Sequence, residues 1–142
     1  YGPNDNYDLI KSHFYPALIK KINLAKKNKK KDLVIWGSGK PKRELMFVDD
    51  FAEALIFFIN KKFKEPFLNI GVGKDYTIKW YANFLMKKFK INLNIKYDAS
   101  KPDGMPKKLL DVSKAKKYGW RSKYDFDQGF LQTYNDFLKN KT

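Results

Sequence analysis

Short apolar runs alternate along this chain with longer stretches whose apolar residues recur at helical spacing. That alternation limits the fold more than any other feature. Lys11–Lys27 reads as a helix, with Phe14, Ala17, Leu18, Ile22 and Ala25 near one face. Leu33-Val34-Ile35-Trp36 reads as a short buried strand, stopped by Gly37-Ser38-Gly39. Glu44–Val48 reads as a second strand. Asp49 or Asp50 is then expected to cap a helix to about Asn60, because a carboxylate satisfies the free amides of a first turn. Phe67–Ile70 suggests a further strand before Gly71-Val72-Gly73. Thr77 suits the N-cap of a helix to about Lys90, in which Ile78, Tyr81, Ala82, Leu85 and Phe89 share a face. Leu93–Tyr97 alternates as a strand, and 98–106 is a loop. Ser113 is expected to cap a short helix to Tyr118 that Gly119 ends, and a last helix spans Phe126 to Leu138. Strands interleaved with helices make the class α/β.

Composition narrows the function. The 142 residues are 43% hydrophobic and 17% aromatic, enough for one domain or a large piece of one. No apolar run approaches the roughly 18–20 residues that span a bilayer, and no signal-peptide pattern opens the chain. Cys is absent, which excludes a disulfide framework, Cys-ligated zinc, iron–sulfur ligation and a cysteine nucleophile within these residues. A single His with no Cys/His cluster argues against a structural metal. The net charge of +15 raises the question of nucleic acid, because cations neutralise phosphates. Of the 30 Lys and Arg, however, only Arg43 and Arg121 are Arg, and Lys is scattered over every segment. Nucleic-acid sites favour the Arg fork, so the charge reads instead as solvated faces. The chain opens on turn chemistry at Tyr1-Gly2-Pro3-Asn4-Asp5-Asn6 rather than on Met, as the middle of a longer protein would.

Four places carry chemistry. Gly71-Val72-Gly73 lies between a strand and a helix, where a dinucleotide fingerprint would sit. Tyr76 occupies the place of its third small residue, and no acidic residue follows at the ribose-binding distance, so a tight turn is the simpler reading. His13 follows a loop rich in Gly, Pro and Asn and opens a helix, where amides and the dipole draw anions, a setting suited to proton transfer. A structural or surface His remains the alternative. Trp36, at the end of a strand, could stack on a base, and Arg43 could fork onto a diphosphate. The alternative is a core Trp beside a surface Arg. Lys101-Pro102-Asp103-Gly104 is a rigid turn presenting one carboxylate, which either accepts sugar hydroxyls or simply makes the turn.

In order along the chain stand Tyr1-Gly2-Pro3-x-Asp5-Asn6, Ser12-His13-x-x-Pro16-Ala17-Leu18, Trp36-Gly37-Ser38-Gly39-x-Pro41-x-Arg43-Glu44, Val48-Asp49-Asp50, Asn69-Ile70-Gly71-x-Gly73, and a block from Asp98 to Asp111 around Lys-Pro-Asp-Gly. The set resembles the GDP-L-fucose synthase family, NADP-dependent epimerase/reductases among the extended short-chain dehydrogenases/reductases. The Asp98–Asp111 block and Ser12-His13 carry most of the specificity. The other blocks are shared by many nucleotide-sugar epimerases and dehydratases, which leaves another member of that superfamily as the alternative.

The resemblance runs from Tyr1 to near Leu138 and covers about the second half of such an enzyme. It implies the end of a Rossmann domain plus the smaller α/β substrate-binding domain, with residues 1–142 mostly substrate-binding subdomain. The Gly-rich NADP loop, the Ser and the Tyr-x-x-x-Lys would lie upstream of Tyr1. It implies that the intact protein converts GDP-4-dehydro-6-deoxy-D-mannose to GDP-L-fucose with NADP(H), as a cytoplasmic homodimer without membrane or nucleic-acid partners, and that this stretch alone does not turn over. By the same resemblance His13 matches the family's acid/base beside the nicotinamide, and Trp36, Arg43 and Asp103 match residues that hold the GDP-sugar. Lys21 stands where the family commonly has Arg, which keeps the charge but not the bidentate fork. Extended members pack their two domains together, so this stretch by itself is expected to expose apolar surface.

Overall fold

The computed structural model describes residues 1–140. It contains five helices and five strands among those residues. In chain order they are α1 (Phe14–Lys27), β1 (Asp32–Trp36), β2 (Lys42–Arg43), α2 (Val48–Ile59), β3 (Tyr76–Thr77), α3 (Ile78–Phe89), β4 (Asn94–Asp98), β5 (Lys107–Lys108), α4 (Ser113–Lys117) and α5 (Phe126–Asn140). The α/β class holds. The chain divides into two compact units, each assembled from separated segments.

One unit comprises residues 6–43 and 76–108. Its β1 and β4 pair in parallel, from Asp32 opposite Asn94 to Trp36 opposite Asp98. Parallel neighbours need a crossover, and α3 lies in the stretch between them. Leu33 and Ile35 point inward from β1 while the residues between them face out, the period-2 pattern of a strand covered on one side. α1 presents Leu18, Ile19, Ile22 and Ala25 to the core, and α3 presents Tyr81, Ala82, Leu85 and Phe89. Each such aliphatic side chain withdrawn from water is worth about 1.5–3 kcal/mol. Thr77 caps α3 as its position predicts, its hydroxyl accepting the Trp80 amide at 3.0 Å. A second small sheet places β2 between antiparallel β3 and parallel β5. The Tyr81 hydroxyl donates to the Arg43 carbonyl at 2.8 Å and ties β2 to α3.

The other unit comprises residues 1–5, 44–75 and 109–142. Ala54 of α2, Ala115 of α4 and Trp120 form a buried cluster, joined by Met46, Phe57, Phe58 and Ile70. Phe47 is buried against Tyr1 and Tyr124. Gly119 ends α4 with φ +92°, and the Trp120 amide donates back to the Ala115 carbonyl at 3.1 Å.

Several local expectations are corrected. Glu44–Val48 is not a strand: the pairing falls two residues earlier, at Lys42–Arg43, and α2 already begins at Val48. Phe67–Ile70 has strand-like composition but no ladder partner among the described residues, and its backbone is irregular. The N-cap of α2 is Phe47, without a side-chain cap, while Asp49 and Asp50 lie in the first turn. Asp50 is 1% exposed and accepts the amides of Lys123 (2.7 Å) and Tyr124 (3.3 Å), so it anchors the approach to α5 rather than capping α2. Ser113 is the first residue of α4, and Asp111 receives its amide at 2.9 Å. α1 starts at Phe14, not Lys11, with His13 at its N-cap.

No helix among the described residues is long and apolar enough to cross a membrane.

Candidate functional site

The first unit contains a cleft of about 310 Å³ lined from several separated places in the chain. The N-terminal end of α1 supplies Ser12, His13, Phe14, Ala17 and Lys21. The end of β1 supplies Ile35 and Trp36, β2 supplies Arg43, and the loop after β4 supplies Pro102 and Asp103. His13, Lys21, Trp36, Arg43 and Asp103, chosen from sequence, therefore all border one cavity. Leu18 and Ile78 close its apolar side.

His13 is exposed and has the extended backbone of an N-cap, φ −65° and ψ 159°. Its imidazole makes no cap bond, so the ring is not consumed in holding the helix. The turn before it is set by Asp8, whose carboxylate accepts the amides of Ile10 (2.8 Å) and Lys11 (2.7 Å). Those two amides hold the Asp8 carboxyl below the usual carboxylate range.

Lys21 lies about two turns further along the same helix. Its Nζ donates to the Val34 carbonyl at 3.1 Å and sits 5.1 Å from the centre of the Trp36 ring. Burial pushes its ammonium below the usual Lys range, and the nearby Asp98 carboxylate opposes that shift. A second cation, Lys101, stands 5.5 Å from the same ring. Trp36 is 43% exposed. It is thus a flat, open surface flanked by two ammoniums rather than a core residue.

Arg43 is half-buried. Its Nη1 donates to its neighbour's carbonyl at Lys42 and to the Met105 carbonyl, each at 2.7 Å. The guanidinium therefore clasps the Lys-Pro-Asp-Gly loop with one nitrogen, and its other nitrogens make no hydrogen bond among the described residues.

Asp103 is less simple than its sequence reading. Both carboxylate oxygens are engaged: Oδ1 accepts the Ser38 amide at 2.5 Å and Oδ2 accepts the Ser38 hydroxyl at 2.7 Å. The hydroxyl, the amide and Lys40 hold the carboxyl below its usual range. Ser38 and Lys101 stand beside the cleft without a role in the sequence reading. Both lie inside quoted blocks, Ser38 in Trp-Gly-Ser-Gly and Lys101 in Lys-Pro-Asp-Gly, but Gly-Ser-Gly read only as a strand breaker.

The Gly71-Val72-Gly73 turn belongs to the other unit and is a structural turn. The Glu44 carboxylate receives the Gly73 amide at 2.5 Å and the Leu110 amide at 2.9 Å, and a side chain at Gly71 would meet the same carboxylate. An acid already holding the Gly73 amide and crowding Gly71 is incompatible with a pyrophosphate there. The described residues thus contain no dinucleotide loop of their own. No group of three or more His, Asp or Glu among them is placed to hold a metal ion.

The NAD dependent epimerase/dehydratase family model matches residues 1–71. GDP-L-fucose synthase 1 of Arabidopsis thaliana is 39% identical over 140 residues, 99% of this chain and 43% of the relative. GDP-L-colitose synthase of Yersinia pseudotuberculosis is 39% identical over 142 residues, 99% of this chain and 46% of the relative. The crystal structure of a GDP-L-fucose synthetase from Naegleria fowleri bound to NADP matches with a TM-score of 0.86 at 30% identity, over 99% of this chain and 44% of that one. The chain spans less than half the length of these relatives.

Proposed function

The chain belongs to the NAD-dependent epimerase/dehydratase family, and from that premise we propose that the intact protein is a GDP-L-fucose synthase. It would convert GDP-4-dehydro-6-deoxy-D-mannose to GDP-L-fucose by epimerisation at C3 and C5 and reduction at C4. The observation that carries the reading is the convergence of His13, Lys21, Trp36, Arg43 and Asp103 on one cleft. Relatives bearing the fucose synthase name at 39% identity support it.

In this reading the unit of residues 6–43 and 76–108 is the substrate-binding subdomain, and the other unit is the closing part of the Rossmann domain. NADPH supplies the hydride for the C4 ketone, and the NADP-bound Naegleria structure supports that choice of cofactor. The chain's own residues do the rest. Trp36 presents a flat face to the nucleotide-sugar, and Lys21 with the uncommitted nitrogens of Arg43 meets the diphosphate. The 4-keto group acidifies the carbons on either side of it. His13, its ring unused by the helix cap, takes the role of acid that returns a proton to the enolate carbon. Its place beside the nicotinamide, a homodimeric assembly and a cytoplasmic setting belong to the same proposal.

The reading is tested with the intact protein in deuterated water. Wild-type enzyme should place solvent deuterium at C3 and C5 of the product. His13→Asn should lose that incorporation by about a hundredfold while still binding the GDP-sugar. Incorporation at the wild-type rate would remove His13 from the proton transfer. A second reading, another GDP-sugar epimerase/reductase, is favoured by the equal identity to the Yersinia colitose synthase. A tight preference for UDP- or TDP-sugars would argue against both.

A further inference from the structure

We propose that Ser38 is a positioning residue for this cleft, acting through Asp103 as a two-point latch that fastens the Lys101–Gly104 loop to the exit of β1. The proposal rests on the functional reading above for its substrate, and on the geometry of the loop for the latch itself.

The β1–β4 ladder ends at Trp36 opposite Asp98, with one further bond from the Gly37 amide to the Asp98 carbonyl at 3.0 Å. Past that point residues 101–108 are exposed. Backbone bonds hold the two ends of this stretch, the Lys101 amide on the Asp98 carbonyl at 3.2 Å and the Lys42 amide on the Pro106 carbonyl at 2.8 Å beside the β2–β5 pairing, and two side-chain fastenings hold the part between: the Arg43 bond to the Met105 carbonyl, and the pair of bonds from Ser38 to Asp103. The loop supplies Pro102 and Asp103 to the cleft wall and brings Lys101 to the Trp36 ring, so its position sets the shape and charge of one rim.

Arg43 is the fastening that substrate competes for, because a diphosphate would draw the guanidinium toward itself. Of the two side-chain fastenings, the Ser38 latch is then the one that persists through binding. Both oxygens of one carboxylate receive the hydroxyl and the amide of one residue, 65 positions earlier in sequence. Such a bidentate grip fixes a direction as well as a distance. The residue before it is built for the grip. Gly37 has φ +68°, and a side chain there would collide with the Asp103 carboxylate. The Gly-Ser pair is therefore required by the latch, and Asp103 serves the substrate chiefly by where it holds the loop.

The test uses the intact protein with GDP-4-dehydro-6-deoxy-D-mannose and NADPH. Ser38→Ala should raise KM for the sugar nucleotide about tenfold, the effect of one hydrogen bond to a charged group. It should leave kcat within about twofold and KM for NADPH unchanged. Ser38→Thr, which keeps the hydroxyl, should restore KM to within about twofold. A KM for Ser38→Ala equal to wild type would overturn the proposal. Amide hydrogen exchange gives a readout that needs neither turnover nor the Ala variant. Asp103→Asn should speed exchange at residues 37–39, and unchanged protection there would also overturn the latch. If wild-type protein fails to turn over the GDP-sugar, the functional reading falls by itself and the exchange result alone decides the latch.

Discussion

Lys21 shows how much a single side chain can decide. Its Nζ is committed to the Val34 carbonyl, and burial lowers its pKa even with Asp98 nearby. An Arg at this position would offer a planar fork to a diphosphate. Lys21→Arg in the intact protein is therefore expected to lower KM for the GDP-sugar about threefold, with kcat little changed. A raised KM would place the diphosphate away from α1. The residues of the cleft were legible in different ways. His13, Trp36 and Arg43 stood out by type and setting, although only the family resemblance turned those settings into roles. Asp103 lies on the cleft wall, but its engagement by Ser38 could not be read from a turn sequence. A hydrogen bond between residues 65 apart leaves no local signature. Lys101 was hidden for the opposite reason: in a chain so rich in Lys, one more cation carries no signal until its ammonium is seen over the Trp36 ring.

At the scale of elements, periodicity was a sound guide wherever an element packs its face within its own unit. α1, α3, β1 and β4 appear where spacing put them, within one to three residues. The failures share a cause. Phe67–Ile70 and Glu44–Val48 have the composition of buried strands, but a strand is made by its neighbour, and neither run meets a ladder partner among the described residues. Asp50 failed differently. A carboxylate near a helix start suggests a cap, whereas tertiary packing uses it to receive two amides from the segment leading to α5. Asp50→Ala leaves those partly buried amides without their acceptor. It should destabilise the protein by about 1–3 kcal/mol, measurable as a lower denaturation midpoint at unchanged m-value. A variant as stable as wild type would reduce Asp50 to an incidental contact.

At the scale of the whole molecule, each unit is stitched from separated segments, so the cleft depends on contacts between distant parts of the sequence. α2 carries an apolar stripe to the surface: Phe51 is 47% exposed, Leu55 56% and Ile59 77%, and Phe67 in the same unit is 66% exposed. Contiguous apolar surface of this kind is uncommon on a self-sufficient monomer, and the sequence reading anticipated it. The 142-residue chain expressed alone should therefore bind a hydrophobic dye such as ANS and self-associate at micromolar concentration. It should also fail to oxidise NADPH, since the Gly71-Val72-Gly73 turn, placed where a dinucleotide loop would sit, is held by Glu44. A monodisperse, dye-silent chain would mean that the stripe is tolerated in water without a cover. The central claim is tested most directly by giving the intact protein GDP-4-dehydro-6-deoxy-D-mannose and NADPH and identifying the product by NMR. The account predicts GDP-L-fucose, one NADPH oxidised per molecule formed. No NADPH oxidation, or a reduced GDP-sugar that keeps its original configuration at C3 and C5, would contradict it.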